Sequence, residues 1–339
     1  MLYENLLANV PELEILHTQK FRWLVTGAAG FIGSNLVEAL LCLNQCVIGL
    51  DNFTTGKHEN IKSATRINPG NFTLINGSIN DFETCKLATQ NIDFVLHHAA
   101  LISVPQSLAQ PQNYHATNAQ GFANILEAAR ANHAKRIMYA SSSAVYGDSP
   151  EIPKLEASLS FNFNPENFLS TYALTKYMNE LSAKFYSNIY GLECVGFRYF
   201  NVFGQRQDPN GAYAAVISKW VDCVKNSEVP VIFGDGKATR DFCSVQNIVL
   251  ANLLAALAPN VSGKVFNIGC GIETSLSELL RMIYKIFAPA QELRVNYESP
   301  RAGDILRSCA DISLARKYLH YEPIVSLETG LEFLKESLA

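Results

Sequence analysis

A doubly wound α/β fold with a parallel sheet and a smaller mixed α/β lobe is predicted by three observations on this chain. Short β-rich runs alternate with helical patterns through the first half, those runs are apolar on both faces, and a glycine-rich turn joins the first run to the first helix. Strands apolar on both faces belong in a parallel sheet covered by helices on each side, and regular alternation of strand and helix gives the doubly wound arrangement. The runs are RWLVTG (22–27), QCVIGLD (45–51), FTLINGSI (72–79), DFVLHHAA (93–100) and RIMYASS (136–142). The helix ahead of the last run, within NAQGFANILEAARAN, sets Phe122, Ile125, Leu126 and Ala129 at helical spacing. Past CVGFRYFNVFG (194–204) the rhythm loosens. Turn-rich QRQDPNG and FGDGKATRD alternate there with helices and short strands, which predicts a lobe built from insertions.

The 339 residues are 48% hydrophobic with a formal net charge of −4. That is enough chain for two lobes and the wrong charge for a nucleic-acid protein or a basic membrane binder. Eight cysteines are scattered with no C-x-x-C, and Cys42 and Cys46, four apart, have no histidine cluster nearby to complete a metal site. They read as reduced thiols of a cytoplasmic protein with no metal. The opening MLYENLLANVPELEILHTQ carries Glu4, Glu12 and Glu14 without a basic region or long apolar core. It is not a signal peptide and is expected to form a short helix against the domain. No apolar run reaches transmembrane length.

In VTGAAGFIGSN, Gly27, Gly30 and Gly33 follow the first run and open the first helix. A tight turn, close phosphate approach and helix–strand packing each need a missing Cβ, and the helix N-terminus beyond attracts a pyrophosphate. Asp51 in GLDNF ends the second run. A carboxylate there accepts hydrogen bonds from an unphosphorylated ribose and repels a 2′-phosphate, so the expected cofactor is NAD, on a Rossmann-like sheet.

STYALTKYMNE places Tyr172 and Lys176 four apart in a helical stretch. On spacing alone, packing is the commoner reading: a half-buried ring beside a snorkelling stem. The chemical reading is an ammonium that lowers the phenol's pKa and makes it a working acid and base.

The spacing Gly27-x-x-Gly30-x-x-Gly33, together with YASSSAVYG and Tyr172-Ala-Leu-Thr-Lys176, resembles the extended short-chain dehydrogenase/reductase family. Within it, RYFNVFGQRQDPNGAYAAVI, TRDF and RAGDI resemble the nucleotide-sugar 4-epimerases, above all the bacterial UDP-N-acetylglucosamine 4-epimerases of surface-polysaccharide pathways. The resemblance runs from the first β-rich run onward. It implies that Tyr172 takes the proton of the sugar's 4-hydroxyl while C4 gives its hydride to tightly held NAD. Lys176 would then depress the phenol's pKa and hold ribose hydroxyls, Ser142 would partner the phenol, and Ser143 would be a second hydroxyl against the sugar. Without the resemblance, SSS is a strand end capping a turn.

The resemblance assigns further residues. Asn201 of RYFNV binds the diphosphate, and Arg240 of TRDF and Arg301 of RAGD grip phosphate or ribose oxygens, work that suits an arginine fork. GAYAAVI (211–217), with Ala215 and Val216, lies against the uracil, and Ser103 joins the sugar contacts. Phe31 and Ile32 flank the glycines, Asn52 follows Asp51, and Ser78, Ile79, Ala99 and Ala100 end the third and fourth runs as cofactor contacts, with Asn118 and Tyr199. The expected organisation is an N-terminal extension over 1–19, an NAD-binding domain over 20–198 with a return segment at 237–270, and a nucleotide-sugar lobe over 199–236 and 271–339. The family commonly forms homodimers through a four-helix bundle, to which the 172–190 helix would contribute Leu181 and Phe185.

Five residues past the glycine of RAGDILRSCAD stands Ser308. Epimerases restricted to unacetylated sugars resemble one another in a tyrosine here, whereas those accepting N-acetylated sugars carry a small residue. Ser308 therefore predicts UDP-GlcNAc/UDP-GalNAc interconversion, with UDP-glucose or UDP-GlcNAcA epimerisation as alternatives. Three features depart from the pattern: Ser78 and Asn247 stand where acids are usual, and the link from SSS to Tyr172, including SLSFNFNPENFLS, is long. The sister 4,6-dehydratases need an acidic pair where this chain has Ser143-Ala144-Val145. A non-catalytic NAD sensor on the same fold would typically have lost Tyr172 or Lys176.

Overall fold

The two apolar faces of the β-rich runs become a sheet covered on both sides in the computed structural model, which describes residues 2–161, 168–209, 216–300 and 305–338. The strands that position the site are β1 (Arg22–Thr26), β2 (Cys46–Asp51), β3 (Phe72–Asn76), β4 (Phe94–His97), β5 (Arg136–Ser142), β6 (Glu193–Tyr199), β7 (Thr239–Arg240), β8 (Lys264–Ile268), β9 (Thr274–Ser275) and β10 (Arg307–Ser308). The helices are α1 (Leu2–Leu7), α2 (Phe31–Cys42), α3 (Gly121–Ala131), α4 (Thr171–Tyr190) and α5 (Val245–Leu257). A seven-stranded sheet runs β8-β6-β5-β4-β1-β2-β3, with every neighbouring pair parallel. The expected Rossmann-like α/β fold is therefore present. Strand order reverses between β1 and β4, and ligands of such sheets bind outside the carboxyl ends at that switch.

The period of two along β1 separates the cores. Trp23 and Val25 enter one with Leu36, Leu40, Phe197 and Ile248, while Leu24 faces the other with Val95, Phe122, Ile125 and Ile137. Helix α5 is buried from Val245 through Ala256, so its apolar sequence has no polar face to keep.

Three local differences from the sequence expectations have plain causes. The N-terminal segment makes two short helices, α1 and Glu14–Thr18, because Pro11 opens a separate 3₁₀ turn after extended Val10. Both helices are anchored, with Tyr3, Leu7, Leu13 and Leu16 in the first core. The third run stops as a strand at Asn76, where Ser78 Oγ begins a turn by accepting from the Asn80 N–H and Asp81 caps the next helix. The fourth stops at His97, since the His98 and Ala99 N–H groups donate to the Thr26 hydroxyl, each at 3.2 Å.

The second lobe holds a three-stranded sheet in the order β9-β7-β10. Its core gathers Ile217, Trp220, Phe242, Leu279, Ile283 and Leu331. Asn247, at the acid's usual place, is buried and does an acceptor's work: its Oδ1 takes the N–H groups of Ile324 and Val325 at 2.9 and 3.0 Å.

One buried ion pair clamps α4 to the sheet. Arg198 of β6 forks onto both Glu180 oxygens at 3.0 and 2.7 Å, and Ser141 of β5 donates to the same carboxylate at 2.5 Å. Both charged side chains are 5% exposed, so removing one partner strands the other without water. Glu180→Ala is expected to cost about 3–5 kcal/mol of stability, read from the urea unfolding midpoint.

Candidate active site

The glycine turn is a cradle a Cβ would fill. Gly27 has φ +68°, and a Cβ there would stand 2.8 Å from the Ala99 nitrogen. At Gly33 a Cβ would meet the Gly27 carbonyl oxygen at 2.0 Å, so α2 can approach the turn only without a side chain. Gly30 caps α2, with Phe31 and Ile32 in its first turn. Asp51, 8% exposed, accepts from the Ala29 N–H at 2.9 Å and the Phe53 N–H at 2.8 Å. It shapes the turn and leaves lone pairs free for a ribose. Asn52 beside it is exposed and accepts from the Thr54 N–H. A helix N-terminus, a glycine cradle and a carboxylate at the second strand's end fit an NAD dinucleotide. Gly33→Ala is expected to destabilise the fold by about 1–3 kcal/mol and to yield protein largely stripped of NAD, read from the absorbance of the perchloric-acid supernatant.

The proton-handling group forms where β5 ends against α4. Ser170 caps α4 by accepting from the Ala173 N–H at 3.1 Å, which starts the helix one residue before Tyr172. Tyr172 is half-buried. Burial raises its phenol above the usual value, and a hydrogen bond to Ser142 works in the other direction. Ser142 also accepts from the Ala144 N–H at 3.2 Å, with Ser143 opening the 3₁₀ turn that follows. Lys176, one helical turn on, is 3% exposed and donates to the Ala140 carbonyl at 2.7 Å. Its ammonium lies 5.8 Å from the centre of the Tyr172 ring, and burial lowers its pKa to about 8.

Lys176 thus keeps its ammonium beside the Tyr172 ring while one of its N–H groups serves the β5 carbonyl.

Other expected residues separate into ligand-facing positions and supports. Ala99 and Ala100 follow β4 beside the glycine turn. Asn118, 1% exposed, sits in a π-helical turn over His115–Gln120, a distortion frequent at functional sites. Its amide is spent on Leu101 N–H and carbonyl, both at 2.9 Å, and on Thr175, so it ties the segment after β4 to α4. The Ser103 hydroxyl caps the next helix by accepting from the Gln106 N–H. The Tyr199 hydroxyl lies between His98 Nε2 at 2.9 Å and Asn252 Nδ2 at 2.8 Å. Burial keeps His98 neutral, lowering its pKa to about 3. Ile79 is buried, its carbonyl accepting from Asn124.

In the second lobe β10 lies parallel to β7 with Ser308 opposite Arg240, so these two expected substrate residues are neighbours. Arg307 points the other way and pairs with Glu273 at 2.5 Å, leaving Ser308 on the inner face at 8% exposure. Asp241 fixes this corner, accepting from the Cys270, Gly271 and Ala310 N–H groups at 2.8, 2.9 and 3.1 Å, while burial raises its carboxyl to about 6. Asn201 holds φ +25° just before Val202–Phe203, its carbonyl accepting from the Cys243 N–H. Val216 starts the helix Val216–Lys225. Ala215, Arg301, the 211–215 part of the uracil segment and residues 162–167 of the long loop before Tyr172 lie outside the described residues. Sequence reasoning missed Glu180, His98, Asn252 and Asp241 as supports. Glu180, His98 and Asp241 lay within the quoted stretches STYALTKYMNE, DFVLHHAA and TRDF, but nothing local marked them as supports.

Residues 23–269 match the model of the NAD dependent epimerase/dehydratase family. A putative UDP-glucose 4-epimerase of Methanocaldococcus jannaschii is 39% identical over 312 residues, spanning 91% of this chain and 95% of its own. Among solved structures, the UDP-N-acetylglucosamine 4-epimerase of Methanobrevibacter ruminantium M1, in complex with UDP-N-acetylmuramic acid, aligns with TM-score 0.86 at 36% identity over 94% of this chain and 98% of that one. The UDP-glucuronic acid 4-epimerase of Bacillus cereus, in complex with UDP-glucuronic acid and NAD, aligns with TM-score 0.82 at 31% identity over 94% of this chain and 98% of that one.

Proposed function

The chain belongs to the NAD-dependent epimerase/dehydratase family and is an NAD-dependent enzyme of the UDP-sugar 4-epimerase group, and from that premise we propose that it interconverts UDP-GlcNAc and UDP-GalNAc. The glycine turn and Asp51 would hold NAD, which would supply a hydride acceptor for sugar C4 and the same hydride for its other face. Tyr172, as a phenolate hydrogen-bonded to Ser142, takes the 4-hydroxyl proton, and as the resulting phenol gives it back to the 4-keto oxygen after the sugar has rotated. Lys176 supplies a cation close to that phenolate and favours it over the phenol. Arg240 and Asn201 hold the diphosphate and Val216 borders the uracil, so the nucleotide stays fixed while the sugar turns.

The observation that supports an acetylated substrate is Ser308, a small side chain on the inner face of β10 in register with Arg240. The purified protein, with no NAD added, is to be incubated separately with UDP-GlcNAc, UDP-Glc and UDP-GlcNAcA, and the products resolved by anion exchange. A UDP-GalNAc peak strongest among the three products supports the reading. No 4-epimer from any sugar, even after NAD is added, overturns it.

A cytoplasmic homodimer is part of the proposal. Leu174, Met178, Leu181, Phe185 and Ile189 are all at least 36% exposed and recur at helical spacing along α4, beside exposed Leu108 and Leu169. Pairing this stripe with a second copy removes it from water and brings two α4 helices together, to which one further helix from each subunit completes the four-helix bundle. Among the described residues no helix is long and apolar enough to cross a membrane. A monomer in sedimentation at micromolar concentration overturns the dimer.

A further inference from the structure

Helix α1 lies outside the span 23–269 that matches the family, yet its one buried tyrosine reaches the machinery. Tyr3, 1% exposed, donates to Asn35 Oδ1 at 2.7 Å. Asn35 is fully buried in the second turn of α2, the helix that the glycine turn opens, and its Nδ2 donates to the Phe31 carbonyl at 2.9 Å. The same amide grips a segment far along the chain. Asn35 Nδ2 donates to the Gln205 carbonyl at 3.2 Å, and its Oδ1 accepts from Gln205 Nε2 at 2.8 Å and Arg206 Nη2 at 2.9 Å. Arg206 also pairs with Glu38 of α2 at 2.5 Å.

The gripped corner adjoins the nucleotide end of the site. Gln205 stands four residues after Asn201, and Arg206 holds a left-handed φ of +67°, a conformation that costs a non-glycine residue unless its surroundings enforce it. Gln207 continues the tether, donating to the Val202 carbonyl at 3.0 Å and accepting from Ser218 on the helix that Val216 starts. One buried amide thus couples the N-terminal helix, the cofactor helix and the Gln205–Arg206 corner that follows Asn201.

We propose that α1 is a positioning element for the nucleotide of the substrate: Tyr3, through Asn35, holds the Gln205–Arg206 corner so that Asn201 stands ready for the diphosphate and, through Gln207 and Ser218, the helix that Val216 starts stands ready for the base. This rests on the reading of Asn201 and Val216 as nucleotide contacts. A corner held before ligand arrives binds without the cost of ordering, so loosening it weakens binding and leaves the chemistry at Tyr172 untouched.

The test is Tyr3→Phe, which keeps the buried ring and removes only the hydroxyl. Calorimetric titration with UDP is expected to show about fivefold weaker binding than wild type. KM for the UDP-sugar should rise in parallel, with kcat and NAD content unchanged. Leu7→Ala, which cuts α1 packing without touching the amide, is expected to lower Tm and leave UDP affinity as in wild type at a temperature well below Tm. Should Tyr3→Phe not fold, Gln205→Met carries the same expectation from the other end of the network. UDP affinity and KM equal to wild type in the hydroxyl-deleted variant, whatever its Tm, overturn the inference. A wild-type protein that does not bind UDP overturns the nucleotide-site reading beneath it, which sets the two failures apart.

Discussion

Tyr172→Phe is expected to lower turnover of every UDP-sugar tested by about 10²–10⁴-fold, the usual contribution of a positioned acid–base group. The substitution removes one oxygen. The ring stays between Ser142 and α4, Lys176 keeps its bond to the Ala140 carbonyl, and the glycine cradle lies on a different element. NAD content and Tm should therefore match the wild type, and KM should change little, because a lost transition-state interaction appears in kcat. A packing role for Tyr172 predicts the reverse, a shift in stability with turnover retained. A non-catalytic NAD sensor predicts no turnover in either protein. Single-turnover spectra add a second readout: the wild type should show a transient near 340 nm from reduced nicotinamide on mixing with substrate, and the variant should not.

What was legible in the chain follows the range of the forces involved. The strands could be read because a two-sided apolar run has few other homes, and the glycine trio because backbone sterics around Gly27 and Gly33 admit no Cβ. Tyr172 and Lys176 share a helical face by spacing alone. Where the ammonium is anchored was not legible, because the Ala140 carbonyl that it donates to lies 36 residues away. Strand ends were overrun at 77–79 and 98–100, where side-chain acceptors such as the Thr26 hydroxyl take the backbone N–H groups. The supports were illegible for the same reason. Glu180 with Arg198, and Asn35 with Gln205, meet only after the sheet has assembled, and no local pattern marks either pair.

Ser308→Tyr is expected to cut activity on UDP-GlcNAc by more than about 100-fold while UDP-Glc turnover changes less than about threefold, a discrimination that steric exclusion from a shaped pocket can supply. Ser308 is 8% exposed and its strand is fixed on both sides, by the β7 register at Arg240 and by Asp241 accepting from the Ala310 N–H. The backbone of β10 is therefore held as a larger side chain is added, and the phenol must take its volume from the space beside Arg240. Under the proposed mechanism an acetamido group has to pass through that space as the 4-keto sugar rotates, whereas a 2-hydroxyl is much smaller. The UDP-Glc assay serves as the internal control, since a misfolded variant loses both activities together. Equal loss on both sugars from a protein with wild-type Tm would remove Ser308 as the gate and leave the choice of sugar to residues 211–215 or the chain around Arg301. Selective loss would make one buried hydroxymethyl the determinant of which hexosamine this enzyme can turn over.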